Sequence, residues 1–131
     1  MLLGVTLGTN DLEKAGAFYD TLLATLNMVR TMTVEGEIGY GPVGGPSCFW
    51  VLTPFNKQPA SVGNGVQISF QAQSNEAVER FYQAALAAGG TDEGAPGFRY
   101  RPHYYGAYCR DLDGNKLHVM HEAVPGESSI D

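Results

Sequence analysis

Hydrophobic and polar positions alternate from Leu2 to Thr9. Leu3, Val5 and Leu7 are apolar, while Gly4, Thr6 and Gly8 between them are small or polar. A period of two predicts a strand with one face on a core. The spacing then changes to that of a helix. Asn10, with Glu13 three residues later, forms a capping-box pattern, and Leu12, Ala15, Tyr19, Leu22 and Leu23 make an apolar stripe ending near Leu23. Strands are predicted near 27–34, 37–43 and 47–53, the last reached through Gly44-Gly45-Pro46. Residues 54–65 hold two prolines, two glycines and three amide side chains, the composition of a linker.

The pattern then starts again. Val66, Ile68, Phe70 and Ala72 alternate with Gln67, Ser69, Gln71 and Gln73. Ser74 is placed to cap a second helix through about Ala88, with Val78, Phe81, Ala85 and Leu86 inward and Gly89-Gly90 ending it. A loop is predicted from Glu93 to Pro102, then strands over 104–110 and 116–121 around the turn 111–115. Phe18-Tyr19 and Phe81-Tyr82 sit 63 residues apart at matching helix positions, and the same offset carries the first strand onto 67–72. The chain therefore reads as an internal repeat, since a module of about 60 residues with one helix buries its sheet poorly alone. Module 1 is assigned to 1–54, a linker to 55–64, module 2 to 65–123, and a polar tail to 124–131.

One helix per module covers one face of its strands, so the other face is open. On that face alternation places Gly4, Thr6 and Gly8, then Gln67, Ser69 and Gln71, then His118 and Glu122. Leu117 and Val119, like Val66 and Ile68, are assigned to the helix side. A ligand cavity is the reading of this convergence of polar groups. Phe49 and Trp50 are adjacent, so one faces the cavity and the other the core; the sequence leaves open which.

The stretches from Gly4 to Leu12, Ala17-Phe18-Tyr19-Asp20, Gly65 to Phe70, and Tyr105 to Leu117 together resemble the vicinal oxygen chelate superfamily, the glyoxalase/bleomycin-resistance/dioxygenase group. The resemblance spans nearly the whole chain. It implies an α+β fold in which two βαβββ modules form a curved mixed-sheet cup, often around a divalent metal. Metal-binding members place ligands on the first, fourth, fifth and eighth strands, which carry over to Gly4, Val51, Gln67 and His118. Gly4 and Val51 offer no donor, Gln67 only a neutral oxygen, and His118 one good ligand. The expectation is a small-molecule-binding protein with a degraded metal site and no cofactor. The alternative is a lyase, isomerase or dioxygenase using zinc, nickel, iron or manganese on a vicinal-oxygen substrate.

For such a site His118 is the candidate catalytic group. Thr6, Gln67, Ser69, Arg101, His103 and Tyr105 are the candidate substrate-binding residues, and the basic-aromatic loop would close over the cup and offer Arg99, Arg101 or His103 to an anionic or carbonyl group. Gln67 and His118 are the weak metal candidates.

Composition narrows the partners. Eight Lys and Arg against fourteen Asp and Glu give a net charge of −6, which argues against nucleic acid and an anionic membrane despite the Arg99–Tyr105 basic-aromatic cluster. No apolar run approaches the roughly 18 residues of a span, and Met1 to Val5 lacks a basic start, so no signal peptide is expected. Cys48 and Cys109 read as reduced, buried thiols of a cytoplasmic protein. Family members usually pair, and a two-fold homodimer is expected.

Overall fold

The structure, a computed structural model, describes residues 1–124. It holds ten elements: β1 (Val5–Gly8), α1 (Leu12–Ala24), β2 (Met28–Val34), β3 (Glu37–Pro42), β4 (Phe49–Leu52), β5 (Ile68–Gln71), α2 (Asn75–Ala87), β6 (Thr91–Phe98), β7 (Tyr104–Arg110) and β8 (Lys116–Glu122). They form two mixed four-stranded sheets, ordered β1-β4-β3-β2 and β5-β8-β7-β6, each with its own helix. This is the two-module α+β architecture expected. Beginning and end of β1 and β5, and of α1 and α2, lie 63 residues apart, so the offset read from the aromatic pairs holds for the first two elements of each module.

Both helices contribute to one shared core. Phe18, Tyr19, Phe49, Phe70 and Phe81 form a continuous chain of ring contacts, and the Phe49–Phe70 contact, 5.5 Å between centroids, joins the modules. Such edge and tilted contacts add to the burial of large apolar area. The Tyr19 hydroxyl crosses between modules to donate to Asp111 Oδ2 at 2.5 Å. Asp111 also accepts from the Asp113 and Asn115 amides and from Asn115 Nδ2, so its buried carboxylate is fully satisfied.

Three expectations need correction. Asp11, not Asn10, caps α1: it is extended and accepts from the Lys14 amide at 3.1 Å. Asn10 instead exchanges two bonds with the Ala60 backbone, giving Nδ2–H to the carbonyl (3.1 Å) and accepting the amide (2.7 Å). The segment between β4 and β5 is therefore tied to the start of α1. Residues 91–98 are a strand, not the start of a loop. Its sequence, TDEGAPGF, lacks alternation because the register slips twice against β7, and its positive-φ Gly94 sits at the slips. Val66 is 53% exposed and precedes β5, so it does not lie under a helix. Ser74 caps α2 as expected, accepting from the Ala77 amide. The expected tail lies, from residue 125 on, outside the described residues.

Candidate functional site

Strand alternation and pairing set which side chains share the open face of the second sheet. Leu117 and Val119 are fully buried in the core, so Lys116, His118, Met120 and Glu122 face the other way. Ser69 stands directly opposite His118 on one side, and Tyr108 on the other. Gln67 follows on the same face, its Nε2 donating to Ser69 Oγ at 3.1 Å. Gln67, Ser69 and His118 are thus brought to one face.

His118 is not presented to solvent. It is 3% exposed, covered by tyrosine rings rather than by a helix. Tyr108 stacks on the imidazole at 4.2 Å between centroids and Tyr104 at 6.0 Å, both nearly parallel to it. Gly106, two residues from each, leaves room for the ring: a Cβ there would stand 2.8 Å from His118 Cε1. His118 Nδ1 lies 2.9 Å from the Ala107 carbonyl, which can only accept, so Nδ1 carries the proton. Nε2 is then the acceptor, 2.7 Å from the Tyr104 hydroxyl. Burial pushes the His118 pKa below its ordinary value, against the opposing pull of the Ala107 carbonyl. The result is a neutral imidazole with both nitrogens engaged.

Tyr104 and Tyr108 were not picked from the sequence as site residues. The signal was present in Tyr104-x-Gly106-x-Tyr108, whose period of two sends all three to the face of His118. The Tyr100 hydroxyl bonds the Tyr108 hydroxyl. Burial, reinforced by that bond, lifts the Tyr108 pKa to about 12, so the phenol stays protonated.

The other candidates are dispersed. Tyr105 belongs to the helix side of β7: its hydroxyl donates to Glu79 on α2 at 2.6 Å, and it does not line the cup. Arg101 is held by Glu122 through two bonds of 2.8 Å and lies over the Tyr104 ring. That pair lowers the Glu122 pKa. His103 is exposed and offers its backbone carbonyl to the Ala123 amide. Arg99 gives its guanidinium to the carbonyls of Ala95, Gly97 and Gly106, stapling the irregular β6 to β7. Thr6 is exposed on the open face of the first sheet, opposite Trp50.

The fourth-strand ligand position also needs correction. Val51 is 1% exposed in the core, opposite Leu7. Thr6 pairs with Trp50 as Ser69 pairs with His118, so Trp50 is the counterpart of His118. Phe49 takes the core side. The Trp50 indole lies over Gly4, where an added Cβ would collide with the ring and stand 2.6 Å from the Cys48 carbonyl. It also borders Gly39, whose Cβ would stand 3.1 Å from Trp50 Cδ1. Glycine at both positions lets a flat ring rest on the sheet.

The four positions therefore do not fit a divalent metal. Gly4 lies under an indole, Trp50 has no lone pair to give, Gln67 offers a neutral amide, and the His118 nitrogens are already bonded. Among the described residues, no group of three His, Cys, Asp or Glu side chains could hold an ion.

The chain belongs to the glyoxalase/bleomycin resistance protein/dioxygenase superfamily, whose profile matches residues 2–119. Among solved structures it is 42% identical to a glyoxalase/bleomycin resistance protein from Albidiferax ferrireducens, with a TM-score of 0.86 over 94% of this chain and 99% of the other. The fold is shared with a fosfomycin resistance protein from Listeria monocytogenes (20% identity, TM-score 0.68, 95% of each chain). It is shared too with a lactoylglutathione lyase from Agrobacterium tumefaciens (22% identity, TM-score 0.62, 92% of each chain). The search of curated proteins finds no match. No helix among the described residues is long and apolar enough to cross a membrane.

Proposed function

We propose that this protein binds a small molecule on the open face of the second sheet without a metal. The observation carrying this reading is the double engagement of His118. An imidazole that donates through Nδ1 and accepts a phenol at Nε2 is satisfied as a neutral group, with no lone pair left for an ion. His118 then acts as a positioning residue that fixes the Tyr104 hydroxyl. Ligand contact falls to Tyr104, Tyr108, Ser69 and Gln67, which supply two aromatic rings and several hydrogen-bonding groups. A direct acid–base role for His118 requires Tyr104 to leave Nε2 first.

The setting proposed is a cytoplasmic homodimer. The two sheets of one chain share a helix-side core but no strand pairing, so each open face has room for a second layer. A two-fold partner would supply it.

The test is an NMR titration of labelled protein with a library of small organic ligands, with and without EDTA. The reading expects saturable shifts centred on Ser69, Tyr104, Tyr108 and His118 that EDTA leaves unchanged. Binding that vanishes with EDTA, and returns with zinc or nickel, would replace it with the metal-dependent lyase or dioxygenase reading.

A further inference from the structure

The eight cationic side chains of this chain are nearly all accounted for. Arg30, Arg80, Arg101 and Arg110 pair with Asp20, Glu76, Glu122 and Glu93. Arg99 spends its donors on backbone carbonyls. Lys14 and Lys57 are exposed on the surface. Lys116 differs from both. It is half-buried, has no carboxylate partner among the described residues, and borders a cavity of about 420 Å³.

Beside two apolar residues, Val62 and Val66, the cavity's lining brings further polar groups. Arg110 faces Lys116 across the β7–β8 ladder. Gln67 and Asn64 also line it, with Gly63 and Gly65, which can present only backbone. These glycines form a tight turn closed by the Val66 amide on the Gly63 carbonyl at 3.2 Å, with Gly65 at φ +92°. A side chain at that φ would be strained, whereas glycine is not. The Asn64 and Gly65 amides donate to no other described residue. Free N–H groups beside an ammonium that has no carboxylate partner make a concave, donor-rich, positive site. In a chain of net charge −6, that polarity is local and set by these residues.

We propose that this cavity is an oxyanion subsite, taking the carboxylate or phosphate-type group of the ligand that the adjoining face binds. The inference rests on that reading of the face and narrows its ligand to small organic acids. Lys116 precedes His118 by two residues on the same face, a step of about 6.6 Å along a strand. Its ammonium also lies 5.1 Å from the centre of the Tyr108 ring. An anionic head at Lys116 therefore lays the remainder of the ligand across Tyr108 and Ser69.

The experiment is an NMR titration of the full chain with inorganic phosphate, and separately with acetate, at constant ionic strength. Saturable shifts of the Asn64, Gly65 and Gln67 amides are expected with at least one probe. The better-bound probe identifies the head group. Lys116→Gln should weaken that binding about tenfold, the scale of one charge-assisted contact. Lys14→Gln, which removes the same charge elsewhere, should change it less than about twofold. Shifts that never saturate with either probe, or equal losses from the two substitutions, would overturn the subsite. Lys116-dependent phosphate binding in a protein that takes no organic ligand would keep the subsite and remove the reading of the face.

Discussion

Trp50 and His118 occupy equivalent places in the two modules, one opposite Thr6 and the other opposite Ser69. Each is accommodated by glycine, Gly4 and Gly39 beneath the indole and Gly106 beneath the imidazole. Module 1 thus presents an indole beside Thr6, and module 2 a hydrogen-bonded histidine between tyrosines. The fold is that of its superfamily, while these two positions carry what is particular to this chain.

This equivalence says which substitutions could rebuild a metal site. Gly4→His with Trp50→Glu removes the obstructing ring and puts donors on the open face, with the backbone at Gly4 shifting to clear the Cys48 carbonyl, 2.6 Å from the added Cβ. Gly4→His alone collides with the indole and should cost about 1–3 kcal/mol, as overpacking does. Val51→Glu places a carboxylate in the core beside Leu7 and Ile38 and should prevent folding at 37 °C. Zinc titration and urea denaturation of the three variants check the order.

The Tyr104 hydroxyl is the donor that satisfies His118 Nε2. Tyr104→Phe keeps the ring but leaves that nitrogen unpaired, at a cost of about 1–3 kcal/mol. Urea denaturation measures the loss. If water replaces the hydroxyl completely, stability will not change and the lock described for His118 is wrong.

Tyr19 and Asp111 join the modules through a buried bond to a carboxylate. Tyr19→Phe should destabilise by about 1.5–3 kcal/mol, the range for hydrogen bonds to charged groups. Burial, together with Asp111, holds the Tyr19 pKa well above its ordinary value, so the phenol donates throughout the accessible pH range. A loss below about 0.5 kcal/mol in thermal or urea unfolding would contradict this.

Acid should unfold the protein partly through His118. Its folded-state pKa lies below the unfolded value of about 6.5. Above that pH both states are neutral and the full stability is present. As pH falls below 6.5 the unfolded chain binds its proton first, and stability drops until the folded pKa is passed. Between pH 7 and 5 the wild type should therefore lose more stability than His118→Gln, which lacks this titrating group. Equal losses would contradict the depressed pKa.

Strand alternation, the 63-residue offset and the Ser74 cap were legible because each is local and repeats. The site was legible only in part. Alternation placed Gln67, Ser69 and His118 on one face, but it could not distinguish Val51 from Trp50. A one-residue slip reverses every side chain, and the four-residue β4 is too short to show its own period. Tyr105 was misassigned to the cup because its partner, Glu79, lies 26 residues away on a helix. The strand β6 was hidden by two bulges, and Asn10 by a tie to Ala60, 50 residues on. Contacts of this range leave no mark in local spacing.

The character of the site depends on whether His118 serves a metal or a tyrosine. The direct measurement is the zinc, nickel, iron and manganese content of the protein purified without chelators, compared with that of His118→Ala. Far less than one equivalent is expected in both, because Gly4 and Trp50 offer no donor and Tyr104 holds Nε2. About one equivalent in the wild type, lost in His118→Ala, would contradict it.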